Sequence, residues 1–400
     1  MSSMRGVPAV FPLPRERSGE ATIMLGLAGL ALTILAVVGP FSLLGVRLAG
    51  SSQPARALLA ASLFALLVTA LCMRTEADRM GLIATGLAGL GGVALLVMAA
   101  SPLLTGIILL LVLGVYISRP TPQPLIERLR NPGAGAVLLG VAGILSMIKS
   151  DPAFAEVASL TLVLGVVAVG GLVPYLYRYQ PEQATAGSGM AWSAFVAPAL
   201  AVAVLTQVVP HLHGPGKSVF SVLCVVIGLV NVAYGLFGAW QAPARAETWR
   251  HSFLAEWGLA LCGFGLLLPD HHGTEAAYLL LISLVTVRFP LYMLARGSVL
   301  GGETGRWAPL NLLSGLALAG VAPFIGFAAR LLLLGAAMEV AWPLALVLML
   351  AMLAFVSHSF RLGASLAIPR GRAAVGLILI LALAAAMGIA PGLVLSLGGF

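Results

Sequence analysis

The run Ser314-Gly315-Leu316-Ala317-Leu318-Ala319-Gly320-Val321-Ala322-Pro323-Phe324-Ile325-Gly326-Phe327-Ala328-Ala329-Arg330 places one cation just after a breaker-rich stretch in an otherwise apolar segment. Such a cation costs several kcal/mol at bilayer depth unless it faces protein interior or water, so Arg330 reads as an ion-path or helix-contact residue. The alternative is an arginine that snorkels to the interface. Gly320, Pro323 and Gly326 interrupt the helix and free carbonyls that only a buried or hydrated site tolerates.

The surrounding chain makes a membrane setting unavoidable. Of 400 residues, 60% are hydrophobic and 9% charged, and the mean hydropathy is +1.05, far from soluble domains. Apolar stretches of about 17 to 25 residues recur almost end to end, which predicts an all-α polytopic membrane protein. The alternation of a membrane β-barrel is absent. The formal charge of +8 does not point to nucleic acid, because the basic residues sit singly in short loops. Cys72, Cys224 and Cys262 have unrelated spacings and read as small buried hydrophobes.

Cutting at loops rich in charge, Pro or Gly gives thirteen spans near 22–46, 57–73, 80–100, 102–118, 134–148, 154–176, 187–208, 217–240, 250–268, 275–295, 307–335, 340–362 and 373–397. They form one transmembrane domain, 22–400, behind an N-terminal segment, 1–21. The first apolar run is too long for a signal-peptide core, so the first helix is expected to stay attached. With the N-terminus cytoplasmic, 16 of the 22 Lys and Arg fall on the cytoplasmic side and 4 on the other. Arg288 and Arg330 lie within spans. This asymmetry predicts a cytoplasmic N-terminus and an external C-terminus in a bacterial inner membrane. No Walker loop, nucleotide fingerprint or loop-borne domain is present.

Three stretches together resemble the antiporter-type membrane subunits shared by respiratory complex I, membrane-bound group 4 hydrogenases and multisubunit cation/proton antiporters. The run Ser314–Arg330, continuing to Glu339, resembles that family's broken helix, with Arg330 on its ionisable position. Leu172-Val173-Pro174-Tyr175-Leu176-Tyr177-Arg178-Tyr179-Gln180-Pro181-Glu182, leading to Ser193-Ala194-Phe195, resembles its other broken helix, one residue longer here. Leu284-Val285-Thr286-Val287-Arg288-Phe289-Pro290 resembles a helix with a central lysine, replaced by Arg288.

The resemblance covers roughly residues 100 to 397 and implies the family's fourteen helices less the first. It also implies two inverted five-helix repeats, near 102–240 and 250–362, and proton movement along buried Glu and Lys driven by redox chemistry on other chains. The first half-channel reads as degraded: Ile108, Val169 and Ala201 occupy positions where the family carries charge. Arginine stays protonated where a buried lysine can release its proton, so Arg288 and Arg330 suit charge anchoring or water gating better than relay.

Glu256 lies mid-helix, one turn beyond His251, and is either a proton site or the partner of Arg288 or Arg330. His358 precedes Arg361 near a span end and reads more readily as an interface histidine than a relay. His211 with His213, and Asp270 with His271 and His272, are weak metal patterns in loops, and no metal site is assigned.

The sequence thus predicts a non-catalytic, antiporter-like subunit of a complex-I-like assembly, of hydrogenase or NADH-quinone oxidoreductase type. It would contribute to or scaffold proton or cation translocation. Fe-S clusters or a Ni-Fe centre are expected only on partner subunits, and quinone on a neighbour. Alternatives are an independent or two-subunit secondary transporter for cations or inorganic carbon, and a purely structural membrane subunit.

Overall fold

The computed structural model describes residues 15–38, 42–43, 46–47, 53–72, 76–97, 101–117, 125–148, 152–176, 197–212, 214–243, 245–268, 270–299 and 308–400. Apolar side chains on every face drive these segments into helices, because a backbone away from water must satisfy its own hydrogen bonds. In chain order they are α1 (Arg15–Val38), α2 (Gln53–Cys72), α3 (Glu76–Val97), α4 (Pro102–Ile117), α5 (Leu125–Met147), α6 (Pro152–Gly170), α7 (Ala197–Val208), α8 (Gly214–Gln241) and α9 (Arg245–Gly265). Then follow α10 (His272–Ser283), a π turn (Leu284–Arg288), α11 (Phe289–Val299), α12 (Pro309–Ala319), α13 (Ile325–Val340), α14 (Trp342–Ala364), α15 (Arg372–Ile389) and α16 (Pro391–Gly398).

Among the described residues each expected span contains one helix or two helices split by a turn, residues 187–196 of the seventh lying outside them, and the fold is all-α and polytopic. Six of the described helices are long and apolar enough to cross a membrane unaided. Pro174, Gly320, Pro323 and Gly326 lie in or beside interruptions between helices. Arg178, Pro181, Glu182, Ser193 and Phe195 lie outside the described residues.

Three boundaries differ from the sequence reading. The sequence places the first span at 22–46, but α1 runs Arg15–Val38, beginning seven residues earlier. A two-residue antiparallel pair, Ser42–Leu43 (β1) with Val46–Arg47 (β2), occupies part of the predicted helix. The fifth span starts earlier, at Leu125, and carries Pro132 within the helix. The last is two helices, because Pro391 removes a donor and Ala390 adopts φ −123°, ψ 61°.

The core is one large apolar cluster drawn from nearly every helix, with a small second cluster of Val68, Cys72 and Ile380. The strand of helix from His272 to Ala295 is 94% buried, whereas α8 and α14 bury about a third of their spans. Trp240, Phe237, Leu353 and Ile389 project from the outer helices. Apolar surface outside as well as inside is what lipid as solvent permits. Close approach is clearest between α8 and α9: a Cβ on Gly228 would lie 2.7 Å from the Gly258 carbonyl oxygen, and one on Gly258 2.6 Å from that of Gly228.

α6 and α12 end in the same way. Gly171 (φ 66°) and Gly320 (φ 64°) each close their helix in the left-handed region and each lies three residues before a cis proline, Pro174 and Pro323. Gly171 N–H donates to Ala168 O and Leu172 N–H to Val167 O, while Gly320 N–H donates to Ala317 O and Val321 N–H to Leu316 O. This paired closure requires a residue at ease with positive φ. The second break follows an 11-residue half-helix, about 16 Å long, and so lies near the middle of a hydrocarbon core of about 30 Å.

Candidate functional site

The second break creates a demand that the site meets. Leu316 and Ala317 carbonyls are taken by the closing turn, but the helical partner of Leu318 O would be Ala322, which lies past the break. The Arg288 Nη2 donates to Leu318 O at 2.9 Å. Arg288 reaches it from the end of the π turn, where Phe289 N–H bonds back to Leu284 O; such turns often mark functional positions within helices.

Glu256 closes the site from α9. Its Oε2 accepts from Arg288 Nη2 at 3.2 Å and from Arg330 Nη2 at 3.0 Å. Arg288 Nη1 also donates to Ser252 Oγ at 3.0 Å, one turn before Glu256. The three charged residues are only 1% (Glu256), 3% (Arg288) and 6% (Arg330) exposed. Phe355 of α14 lies beneath both guanidiniums, 5.0 Å from Arg288 Cζ and 5.6 Å from Arg330 Cζ, a favourable cation–π arrangement when desolvated. Glu256 therefore pairs with both arginines, which sequence could not establish.

The cluster holds two positive charges and one negative, so a net positive charge is buried. Arg330 Nε and Nη1 have no hydrogen-bond partner. Its guanidinium rests on the break itself: a Cβ on Gly320 would lie 1.2 Å from Arg330 Nη1, and one on Gly326 3.0 Å. The glycines that read as helix breakers thus also provide the seat for the arginine.

The two histidines of the sequence reading do not join this cluster. His251 packs against Tyr234, with ring centroids 5.4 Å apart, and His358 lies edge-on to Trp240 at 6.4 Å. Neither imidazole Nδ1 has a hydrogen-bond partner. His272 and Asp270 form a surface pair at 2.6 Å. Glu339, from the far end of α13, brings a third ligand atom within 4.8 Å of theirs, a grouping that local sequence could not reveal; His213 lies outside the described residues.

The first break is met by two buried amides and by one exposed arginine. Asn231 Oδ1 accepts from Val173 N–H at 2.9 Å, Asn131 Nδ2 donates to Tyr175 O, and Arg130 Nη2 donates to Leu176 O at 2.9 Å. Asn131 and Asn231 were missed in the sequence because an amide in an apolar helix carries no charge signal. Val169 and Ala201 are fully buried and Ile108 is half-buried. Every buried Asp, Glu, Lys, Arg or His among the described residues lies in the second half of the chain.

No family model and no curated protein matches the chain. Solved structures do. A chain of the membrane-bound sulfane sulfur reductase, an archaeal respiratory membrane complex, has a TM-score of 0.70 at 15% identity, over 92% of this chain and 76% of that one. A chain of the Mrp complex from Dietzia sp. DQ12-45-1b has 0.71 at 16%, over 96% of this chain and 49% of that one, so this chain spans about half its length. A chain of respiratory complex I from Thermus thermophilus has 0.68 at 17%, over 96% and 94%. At these identities the shared property is the fold, which extends over nearly the whole chain.

Proposed function

We propose that this chain is an antiporter-type membrane subunit of a multisubunit, complex-I-like assembly, in which it anchors and couples rather than relays protons. The observation that carries the reading is Glu256 clamped between Arg288 and Arg330 across the second helix break. A proton relay needs groups that exchange protons near ambient pH. Arginine does not, and Glu256 is engaged by both arginines through one oxygen, Oε2. The cluster can instead open or close as a unit, so that movement of α12 and α13 against α9 and α10 makes or breaks ion pairs.

The absence of a buried charge at the first break, among the described residues, supports a degraded first half-channel, with Asn131 and Asn231 supplying hydrogen bonds there. On this reading electrons and their centres, Fe-S or Ni-Fe, belong to partner subunits, quinone binds a neighbour, and the ion is a proton or a hydrated cation. The assembly sits in a bacterial inner membrane with the N-terminus of this chain cytoplasmic.

The test has two parts. The tagged chain, purified from its native membrane in mild detergent, should bring redox subunits identifiable by mass spectrometry. Arg330→Ala in that assembly should impair coupling of ion movement to electron flow while leaving the peripheral redox half-reaction intact. A lone chain, or unchanged ion translocation in the variant, would overturn the proposal.

A further inference from the structure

Away from the ionic cluster, an open groove of about 680 Å³ runs between α2, α10, α15 and α16. Its position is set by where those helices begin and end. Gln53 and Arg56 stand at the start of α2, Tyr278 lies in the second turn of α10, Met387 is near the end of α15, and Leu397 belongs to α16. One end of the groove therefore lies toward one membrane face and carries the polar groups. The other reaches Phe64 on α2. From Gln53 to Phe64 is eleven residues, about 16 Å of helix, close to half of a hydrocarbon core of about 30 Å. The groove is one leaflet deep.

Its chemistry changes along that length. At the polar end, Arg56 is half-buried with its Nε lacking a hydrogen-bond partner, and the Tyr278 hydroxyl, on a residue 1% exposed, lacks one too. Gln53 already donates to Ser396 O at 3.3 Å. Deeper in, Thr286 donates its hydroxyl to Ile282 O at 2.8 Å, so it leaves no polar demand on an otherwise aliphatic and aromatic wall. A ligand that matches must be anionic at one end, carry an acceptor there, and be a long apolar chain below.

We propose that this groove binds one anionic phospholipid, its phosphate on Arg56, an oxygen of its glycerol-ester region within reach of Tyr278, and one acyl chain laid along Phe64 and Met387. Arg56 favours a headgroup of net negative charge, because in a zwitterionic lipid the ammonium beside the phosphate offsets the attraction, and the leaflet-deep apolar wall selects the chain. The site is independent of the Arg288–Glu256–Arg330 cluster and does not rest on its assignment.

Native mass spectrometry of the chain, together with whatever subunits accompany it, after delipidation and exposure to equimolar phosphatidylglycerol and phosphatidylcholine, tests this directly. One phosphatidylglycerol should be retained over phosphatidylcholine by about tenfold, because the choline cation offsets the attraction of the phosphate for Arg56 and glycerol does not. Arg56→Gln should abolish the preference and Arg56→Lys should keep most of it. Ala60→Trp, which fills the groove wall, should remove the bound lipid of either kind. Each variant is first checked for monodispersity and unchanged thermal unfolding, and if Arg56→Gln fails that check the Ala60→Trp result decides. Equal retention of both lipids, a preference indifferent to Arg56→Gln, retention unaffected by Ala60→Trp, or capture of a neutral quinone instead would overturn it.

Discussion

Glu256→Gln and Arg330→Met should have very unequal consequences for stability, although both break the same 3.0 Å contact. Removing Glu256 leaves two guanidiniums, both at least nine-tenths buried, facing one another with no anion. Stranding one buried charge costs about 3–5 kcal/mol, and here two are stranded. Replacing Arg330 has a different balance. It removes the excess positive charge and two donors that have no partner, each of which carries a desolvation cost of about 1–3 kcal/mol. Glu256 keeps Arg288 at 3.2 Å, and methionine fills much of the volume. The expected change for Arg330→Met is within about 1 kcal/mol of zero. Trp249 and Trp257 flank Glu256 on α9 and are almost fully buried, so their fluorescence reports unfolding at the site. In a graded titration of mild detergent with a denaturing one, Glu256→Gln should lower the midpoint strongly while Arg330→Met should barely move it. If the arginine variant lost as much as the glutamate variant, or if Glu256→Gln matched the wild type, the account of a buried net charge would be refuted. A stable Arg330→Met that fails in coupling would also show that this arginine is retained for function at no benefit to folding.

Gly320→Ala should destabilise by about 1–2 kcal/mol through its left-handed backbone alone, and by more through the 1.2 Å approach to Arg330 Nη1; the second part should vanish in the background of Arg330→Ala, which a double-mutant cycle on unfolding midpoints measures. Asn231→Leu leaves the Val173 N–H without its acceptor and should cost about 1–3 kcal/mol; a loss of under 0.5 kcal/mol in the same titration would contradict the capping role. Ser252→Ala removes a hydrogen bond to the charged Arg288 and should cost about 1.5–3 kcal/mol, with a midpoint shift smaller than that of Glu256→Gln.

Much of this was legible in the residues. Apolar runs between charged loops located the helices, and Gly320, Pro323 and Gly326 announced a break before Arg330 was ever placed in space. Arg288, Arg330 and Glu256 stood out because charge in apolar helix is rare and costly. What could not be read was their meeting, since 32 residues separate Glu256 from Arg288 and 74 separate it from Arg330, and no local period encodes packing between distant helices. The charge count was blind to Asn131, Asn231 and Phe355, which act through hydrogen bonds and a ring face. Gly171-Leu172-Val173-Pro174 and Gly320-Val321-Ala322-Pro323 form an internal echo in the sequence, a faint one because only Gly and Pro recur and the flanking residues differ. His251 and His358 drew attention as titratable groups, but their rings pack on aromatic neighbours, and residue type alone cannot separate that from a place in the cluster.

The π turn at Leu284–Arg288 gives the central helix two independent gearings. One extra residue in a turn advances everything beyond it by about 100°, so the segment before the turn and the segment after it present faces that a straight helix could not present together. Before it, Ser283 meets the close-packed Gly326; after it, Tyr292 is locked edge-on to Trp249 and Phe253. Deleting a single residue from the turn would leave composition and hydropathy nearly untouched, yet it would rotate one set of contacts out of phase with the other. A chain of this kind can therefore drift widely in its lipid-facing residues while the length of this one helix stays fixed, because there the residue count itself sets the alignment.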